Sequence, residues 1–171
     1  MIIMATINNV PHKYQDDPEA KLLRGAIEHR ATWMYLLMDE AKKQGLDWND
    51  FARKAIFRCG HFHGEHKIKD NCPDYKNLEE FYPVFLNGPT EKTLEVEILE
   101  KTPDFLHLDF HYCPLVAAWE KLGCTPEEIA LLCDIAMDGD RGIAEECGLD
   151  ITIEKKIAEG DDTCRLSFRK K

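Results

Sequence analysis

The hydrophobic period of this chain changes once, at Asn87-Gly88-Pro89, and that change limits the folds open to it. Before the break apolar residues recur at helical spacing; after it they alternate with polar ones. Leu23, Ala26, Ile27, Trp33, Met34, Leu37 and Ala41 follow the start signal Asp17-Pro18-Glu19 and precede Gly45, which predicts a helix over 18–44. A second helix is expected from Asp47 through Phe51, Ala55, Ile56 and Phe57, fraying near Gly60. The polar stretch 61–75, with Gly64, Asn71 and Pro73, reads as a turn region. A short helix is expected over 78–86, bent at Pro83.

Beyond the break, Leu94, Val96 and Ile98 alternate with Glu95 and Glu97, predicting a half-buried strand over 93–100. Leu106, Leu108, Phe110 and Tyr112 repeat the pattern over 105–113. A helix is expected from Pro114 through Leu122. A second is capped by Thr125 and Glu128 and runs through Ile129, Leu132, Cys133 and Ala136 until Asp138-Gly139-Asp140 ends or bends it. Two last strands, 149–157 and 163–169, meet at the turn Glu159-Gly160-Asp161-Asp162. The expected class is α+β: N-terminal helices packed on a mostly antiparallel sheet of about four strands, with interspersed helices. No repeat interrupts the chain, so a single domain 1–171 is expected, with a helical half 1–89 and a strand–helix–strand half 90–171.

Among the 171 residues, 22 Lys plus Arg stand against 32 Asp plus Glu, and the net charge of −10 comes without a basic stripe, so no nucleic-acid partner is expected. No run approaches the roughly 20 apolar residues of a membrane helix. Met1–Ile7 lacks a basic region and has too short an apolar core for an export signal, so a cytoplasmic protein without a membrane partner is expected. Seven cysteines, an odd number without a CxxC pair, read as reduced thiols. Neither a GxGxxG, a Walker loop nor a GxSxG occurs. The first helix suits the core or a dimer interface, which leaves a homo-oligomer open.

Strand alternation places His107, Asp109, His111 and Cys113 on one face, neighbours lying roughly 7 Å apart. His111 is then poised to activate Cys113, with Asp109 orienting an imidazole; the competing reading is a solvated polar face. Cys133 and Cys164 sit among apolar residues and read as small hydrophobes. Spacing lends no support to a metal cluster built from Cys113, Cys133 and Cys164. No cofactor is expected, with a divalent metal left open at Cys59, His61, His63 and His66, completed by Cys72 and Asp74; the competing reading is a glycine-broken turn. Asp134, Asp138, Asp140, Asp161 and Asp162 lack calcium-loop spacing and read as helix-end and turn residues. Asp138 follows Cys133 closely enough to share its pocket.

Phe110-His111-Tyr112-Cys113-Pro114, then Leu132-Cys133 with Asp138, then the ending Ile157–Phe168 with Gly160-Asp161-Asp162-Thr163-Cys164, together resemble the L-2-amino-thiazoline-4-carboxylic acid hydrolase family of bacterial proteins, over roughly residues 93–171. The resemblance implies a hydrolase that adds water to the C=N carbon of a small cyclic substrate and opens the ring to an N-carbamoyl cysteine. It puts Cys113, Cys133, Asp138 and Cys164 at matching positions. In that chemistry Asp138 protonates the ring nitrogen, and Cys113, its pKa lowered by His111, adds to the carbon; alternatively His111 activates water. The His-rich segment 61–66 has no place in the pattern. On ideal alternation Cys113 points away from the side that Cys164 faces. The two share a pocket only if helices cover both sides of the sheet or if Pro114 and a bulge turn Cys113 inward; the second is expected, since Cys113 is the last residue before a proline. The same ending is loosely similar to sensory domains of the 4-vinyl-reductase type, which implies a non-catalytic ligand- or metal-binding alternative.

Overall fold

The computed structural model describes residues 6–171; Met1–Ala5, part of the stretch judged above against an export signal, lie outside them. Among the described residues the order is α1 (Pro18–Lys43), α2 (Trp48–His63), a π-helical turn (Gly64–Lys69), α3 (Leu78–Phe85), α4 (Gly88–Leu94), β1 (Val96–Lys101), β2 (Phe105–Phe110), α5 (Pro114–Lys121), α6 (Pro126–Ala136), α7 (Asp138–Glu146), β3 (Leu149–Lys155), a 3-10 turn (Ile157–Glu159) and β4 (Cys164–Lys170). The four strands form one antiparallel sheet in the order β1-β2-β4-β3, and the fold is α+β as expected. No described helix is long and apolar enough to cross a membrane.

Local chemistry sets most boundaries. The Asp17 carboxylate accepts the Glu19 and Ala20 N–H groups and starts α1. Thr125 and Glu128 close both halves of a capping box on α6. Gly160, at φ 93°, supplies the left-handed residue between the 3-10 turn and β4.

Four expectations change. Helix α2 does not fray at Gly60: it reaches His63 and passes directly into the π-helical turn. Gly60 and Gly64 are small because α7 lies against them, not because the chain turns. A methyl at Gly60 would collide with the Gly139 carbonyl oxygen, one at Gly142 with that of Phe57, and one at Gly64 with Glu146 Cβ. Asn87 caps a further helix, α4, by accepting the Thr90 N–H. The first strand therefore begins only at Val96, after Glu95 takes the left-handed φ of 52°. That strand is an exposed edge, with Ile98 and Leu99 open to solvent. The Asp138-Gly139-Asp140 segment is the first turn of α7, and the bend falls at Met137.

Helix α1 turns an unexpected face inward. Ala20, Arg24, Ala31 and Met38 are buried, whereas Ala26, Trp33 and Leu37 lie on the solvent side. Arg24 is tolerated because its charge is matched: it donates to Glu95 Oε1 at 3.0 Å and to the Thr93 carbonyl at 3.0 Å, and lies 4.5 Å above the Tyr112 ring. The same Glu95 carboxylate accepts the His12 and Lys13 N–H groups, tying the N-terminal segment to the end of α4.

Leu106 and Leu108 of β2 and Leu166 and Phe168 of β4 form the buried face of the sheet. Phe81 and Phe85 of α3 pack on Phe168 with ring centres 5.3 and 5.1 Å away. Trp119 of α5, fully buried, donates its indole N–H to the Ala31 carbonyl and docks α5 on α1.

Candidate functional site

A cavity of about 240 Å³ lies between α1, α2, the start of α5 and the α6–α7 junction. Helix α1 contributes Arg30, Ala31 and Met34; α2 contributes Ile56, Cys59, Gly60 and His63; Leu115 closes one side and the junction from Ala136 to Ile143 the other. Most of this wall is apolar, with four polar side chains set into it: Arg30, Cys59, His63 and Asp140. Cys59 and His63 are four apart on α2 and so lie on one face of it. Such a lining, apolar with a few convergent polar groups, is that of a small-molecule site.

Asp140 is the unusual member. Burial pushes its carboxyl up to about 6, against the opposing pull of Arg30, Arg141 and Lys67. Its neighbours Asp134 and Asp138 instead belong to an ion-pair network with Arg53 and Arg141. Burial works against ionisation of Asp134, but Arg141 and Arg53 overcome it and hold that carboxyl down to about 2. The network ties α2 to α6 and α7 and leaves Asp140, two residues past Asp138 on α7, facing the cavity.

The residues singled out from the sequence fall into separate groups. Cys113, Cys133 and Cys164 do come together beside the core: Cys113 raises the pKa of both others, and Cys164 also raises that of Cys133. Burial is the largest influence on all three; it pushes Cys164 up to about 12, and Cys133 and Cys113 also upward. For Cys113, the first N–H groups of α5 and the Arg30 guanidinium pull the other way, which places this thiol behind the Arg30 side of the cavity.

The proposed row His107, Asp109, His111 and Cys113 is not assembled, because β2 ends at Phe110 and alternation ends with it. His111 N–H and Tyr112 N–H donate to the Glu95 and Leu94 carbonyls, which leads the chain off the sheet and turns Cys113 toward the core. His111 Nε2 pairs with Glu97 at 2.8 Å, not with the thiol. Asp109 is held below the usual carboxylate range by two hydrogen bonds from Arg165, at 2.7 and 2.6 Å. His107 Nε2 is buried without a hydrogen-bond partner, 3.6 Å from Glu154. Asp138, expected beside Cys133, lies in the arginine network instead.

The alternative metal set does not converge either. Cys59 and His63 face the cavity, but His61 Nδ1 meets Glu146 at 2.7 Å and His66 remains exposed beside Asp70. Among the described residues no group of three or more His, Cys, Asp and Glu side chains is arranged to hold a metal ion. Nothing local in the sequence marks Arg30 and Asp140 as cavity residues, since single charged residues on helices look like solvated ones. Gly60 and Gly64, with Gly139 and Gly142, were the available signal: paired glycines mark close helix contact as well as turns.

The L-2-amino-thiazoline-4-carboxylic acid hydrolase family model matches residues 24–168, from α1 into β4, and so takes in the cavity as well as the C-terminal elements. No curated protein matches the chain. Among solved structures the chain is similar to a trafficking protein particle complex subunit 3 from Naegleria fowleri, covalently bound to palmitic acid. That likeness has a TM-score of 0.55 at 14% identity and covers 85% of this chain and 95% of the other, a likeness of fold.

Proposed function

The chain belongs to the L-2-amino-thiazoline-4-carboxylic acid hydrolase family, and on that premise we propose that it opens a small cyclic C=N ring in the cavity between α1, α2 and α7. The observation that carries this reading is the partly buried Asp140 carboxyl, which desolvation pushes up to about 6, sharing an apolar cavity with the Arg30 guanidinium. A 2-amino-thiazoline-4-carboxylate presents a carboxylate at one end and a cyclic amidine at the other. Arg30 holds the first through charge-assisted hydrogen bonds. Asp140 protonates the ring nitrogen and makes the amidine carbon electrophilic.

Water, deprotonated by His63, adds to that carbon; the tetrahedral centre then expels the ring sulfur, which takes a proton and leaves as a thiol. One water is consumed, one C–O bond forms and one C–S bond breaks. Cys59 flanks the reacting carbon. Cys113, behind the wall and with its thiol pushed up by burial, supports Arg30 rather than attacking.

The test is loss of L-2-amino-thiazoline-4-carboxylate with the intact protein and four variants. Asp140→Asn and Arg30→Met should each lose about 100-fold or more in kcat/KM, while Cys59→Ala and Cys113→Ala keep most of it. Full activity in Asp140→Asn, or none in the unaltered protein, would overturn the assignment.

A second reading is a ligand-holding protein without turnover. The exposed Cys59 thiol beside apolar walls favours it, as does the fold shared with a protein covalently bound to palmitic acid. Here an acyl chain would lie in the cavity as a thioester of Cys59. Intact mass of the native protein before and after hydroxylamine distinguishes the readings: an acyl-sized mass lost only with Cys59 present supports the second.

A further inference from the structure

Arg30 and Asp140 bring opposite charges to one cavity, Arg30 exposed and Asp140 half-buried, and among the described residues neither belongs to an ion pair. The charges beside them are committed. Arg53 and Arg141 each hold Asp134 and Asp138. Lys67, on the π-helical turn, donates to the Phe85 carbonyl at 2.9 Å. Burial favours the neutral Asp140 carboxyl; Arg30 opposes it most, ahead of Arg141 and Lys67. Of these three cations only Arg30 lines the cavity, where Cys59 and His63 of α2 are the other titratable side chains. Arg30 is therefore the cation facing Asp140 whose charge a ligand in the cavity can cancel.

We propose that a ligand carboxylate held by Arg30 loads Asp140 with its proton, so that the cavity processes anionic ring substrates and leaves neutral ones untouched; this rests on the roles of Arg30 and Asp140 in the hydrolase reading. A carboxylate on Arg30 cancels the guanidinium charge toward Asp140, adds a negative charge of its own and displaces water. Each change favours the neutral carboxylic acid. At pH 7 in the free protein Asp140, at about 6, is mostly ionised and has no proton to give. The substrate's own carboxylate draws that proton from solvent as it binds. Proton and carboxylate then strengthen each other's binding by the same factor, and the ring nitrogen meets a charged acid only when the correct anionic end is in place.

Calorimetric titration of the full chain with cyclopentanecarboxylate at pH 7, in buffers of different ionisation heat, counts the protons taken up. This acid is ionised at pH 7 and has no second titratable group, so any proton gained belongs to the protein. The expected uptake is roughly 0.4 proton per acid bound for a tenfold rise in the proton affinity of Asp140, and none accompanies cyclopentanecarboxamide. Uptake should vanish in Asp140→Asn and persist in His63→Gln, which separates the two titrating side chains. Arg30→Lys keeps the charge and should keep the uptake; Arg30→Met should lose the preference for acid over amide. In turnover, the alkaline limb of kcat, which reports the substrate complex, should lie above that of kcat/KM. Binding without uptake, uptake that survives in Asp140→Asn, or no binding of the acid at millimolar concentration overturns the proposal, whether or not a thiazoline ring is opened. Uptake without ring opening overturns the hydrolase reading alone.

Discussion

Asn9 and Cys113 are joined in both directions across 104 positions of chain: the Asn9 amide donates to the Cys113 carbonyl at 2.8 Å, and its oxygen accepts the Cys113 N–H at 2.9 Å. One side chain thus fixes the backbone just where β2 gives way to α5. Asn9→Ala should cost about 1–3 kcal/mol, read from urea unfolding, and should speed labelling of Cys113 relative to Cys133.

Thiol accessibility follows from placement. Cys59 is exposed, whereas Cys72, Cys133, Cys147 and Cys164 are buried and burial raises the Cys113 thiol. A disulfide reagent at mild alkaline pH should therefore show one fast thiol, lost in Cys59→Ser, with the core thiols reacting only on unfolding. A fast phase surviving in that variant and lost in Cys113→Ser would contradict the placement.

Asp140 makes stability depend on pH in a direction opposite to most carboxylates. Its folded pKa of about 6 lies above the ordinary 3.8, so between these values the native state holds a proton that the unfolded state has released. Stability contributed by the protonated form is complete below about pH 4, falls as pH rises toward 6, and levels off above it. The loss is up to about 3 kcal/mol. Asp140→Asn should remove it: thermal midpoints should match the parent at pH 4 and exceed it at pH 7.5. In the unaltered protein, kcat/KM for a ring substrate should fall above about pH 6, as Asp140 loses the proton it delivers.

The buried pair Arg24–Glu95 should be costly to break and cheap to replace. Glu95→Gln or Arg24→Met leaves one charge uncompensated among buried groups, at about 3–5 kcal/mol by denaturant titration. Removing both, as Arg24→Met with Glu95→Leu, should cost less than the sum of the single changes.

Gly142→Ala sets a methyl against the Phe57 carbonyl oxygen, a backbone atom that cannot rotate away. The expected loss is about 1–3 kcal/mol or more, with ligand affinity falling too, since α7 must move off α2 and both line the cavity. An unchanged thermal midpoint would contradict the close approach.

Much of the architecture was legible because its signals are local. Asp17-Pro18 opens α1, the Thr125–Glu128 box opens α6, and the Gly160 turn leads into β4. What escaped depends on partners distant in the chain. Alternation runs on past Phe110, but the amides of His111 and Tyr112 are taken by carbonyls at the end of α4, so Cys113 leaves the sheet. Glu95 reads as a strand residue until Arg24 and the N-terminal segment claim its carboxylate. The gathering of Cys113, Cys133 and Cys164 was visible only as a resemblance, and the cavity with Arg30 and Asp140 not at all, since no local pattern separates a charge facing a cavity from one facing water.

The glycine contact between α2 and α7 gives the cavity one hard wall and one soft one. Where Gly60 and Gly139 line it, the surface is bare backbone held by the neighbouring helix; no rotamer there can yield and no side chain can be exchanged for a smaller one. Met34, Ile56 and Leu115 form the pliable side. Descendants of this chain that change ligand would do so by trading those three residues, while Gly60, which has no room for even a methyl, stays as the fixed floor against which each new shape is cast.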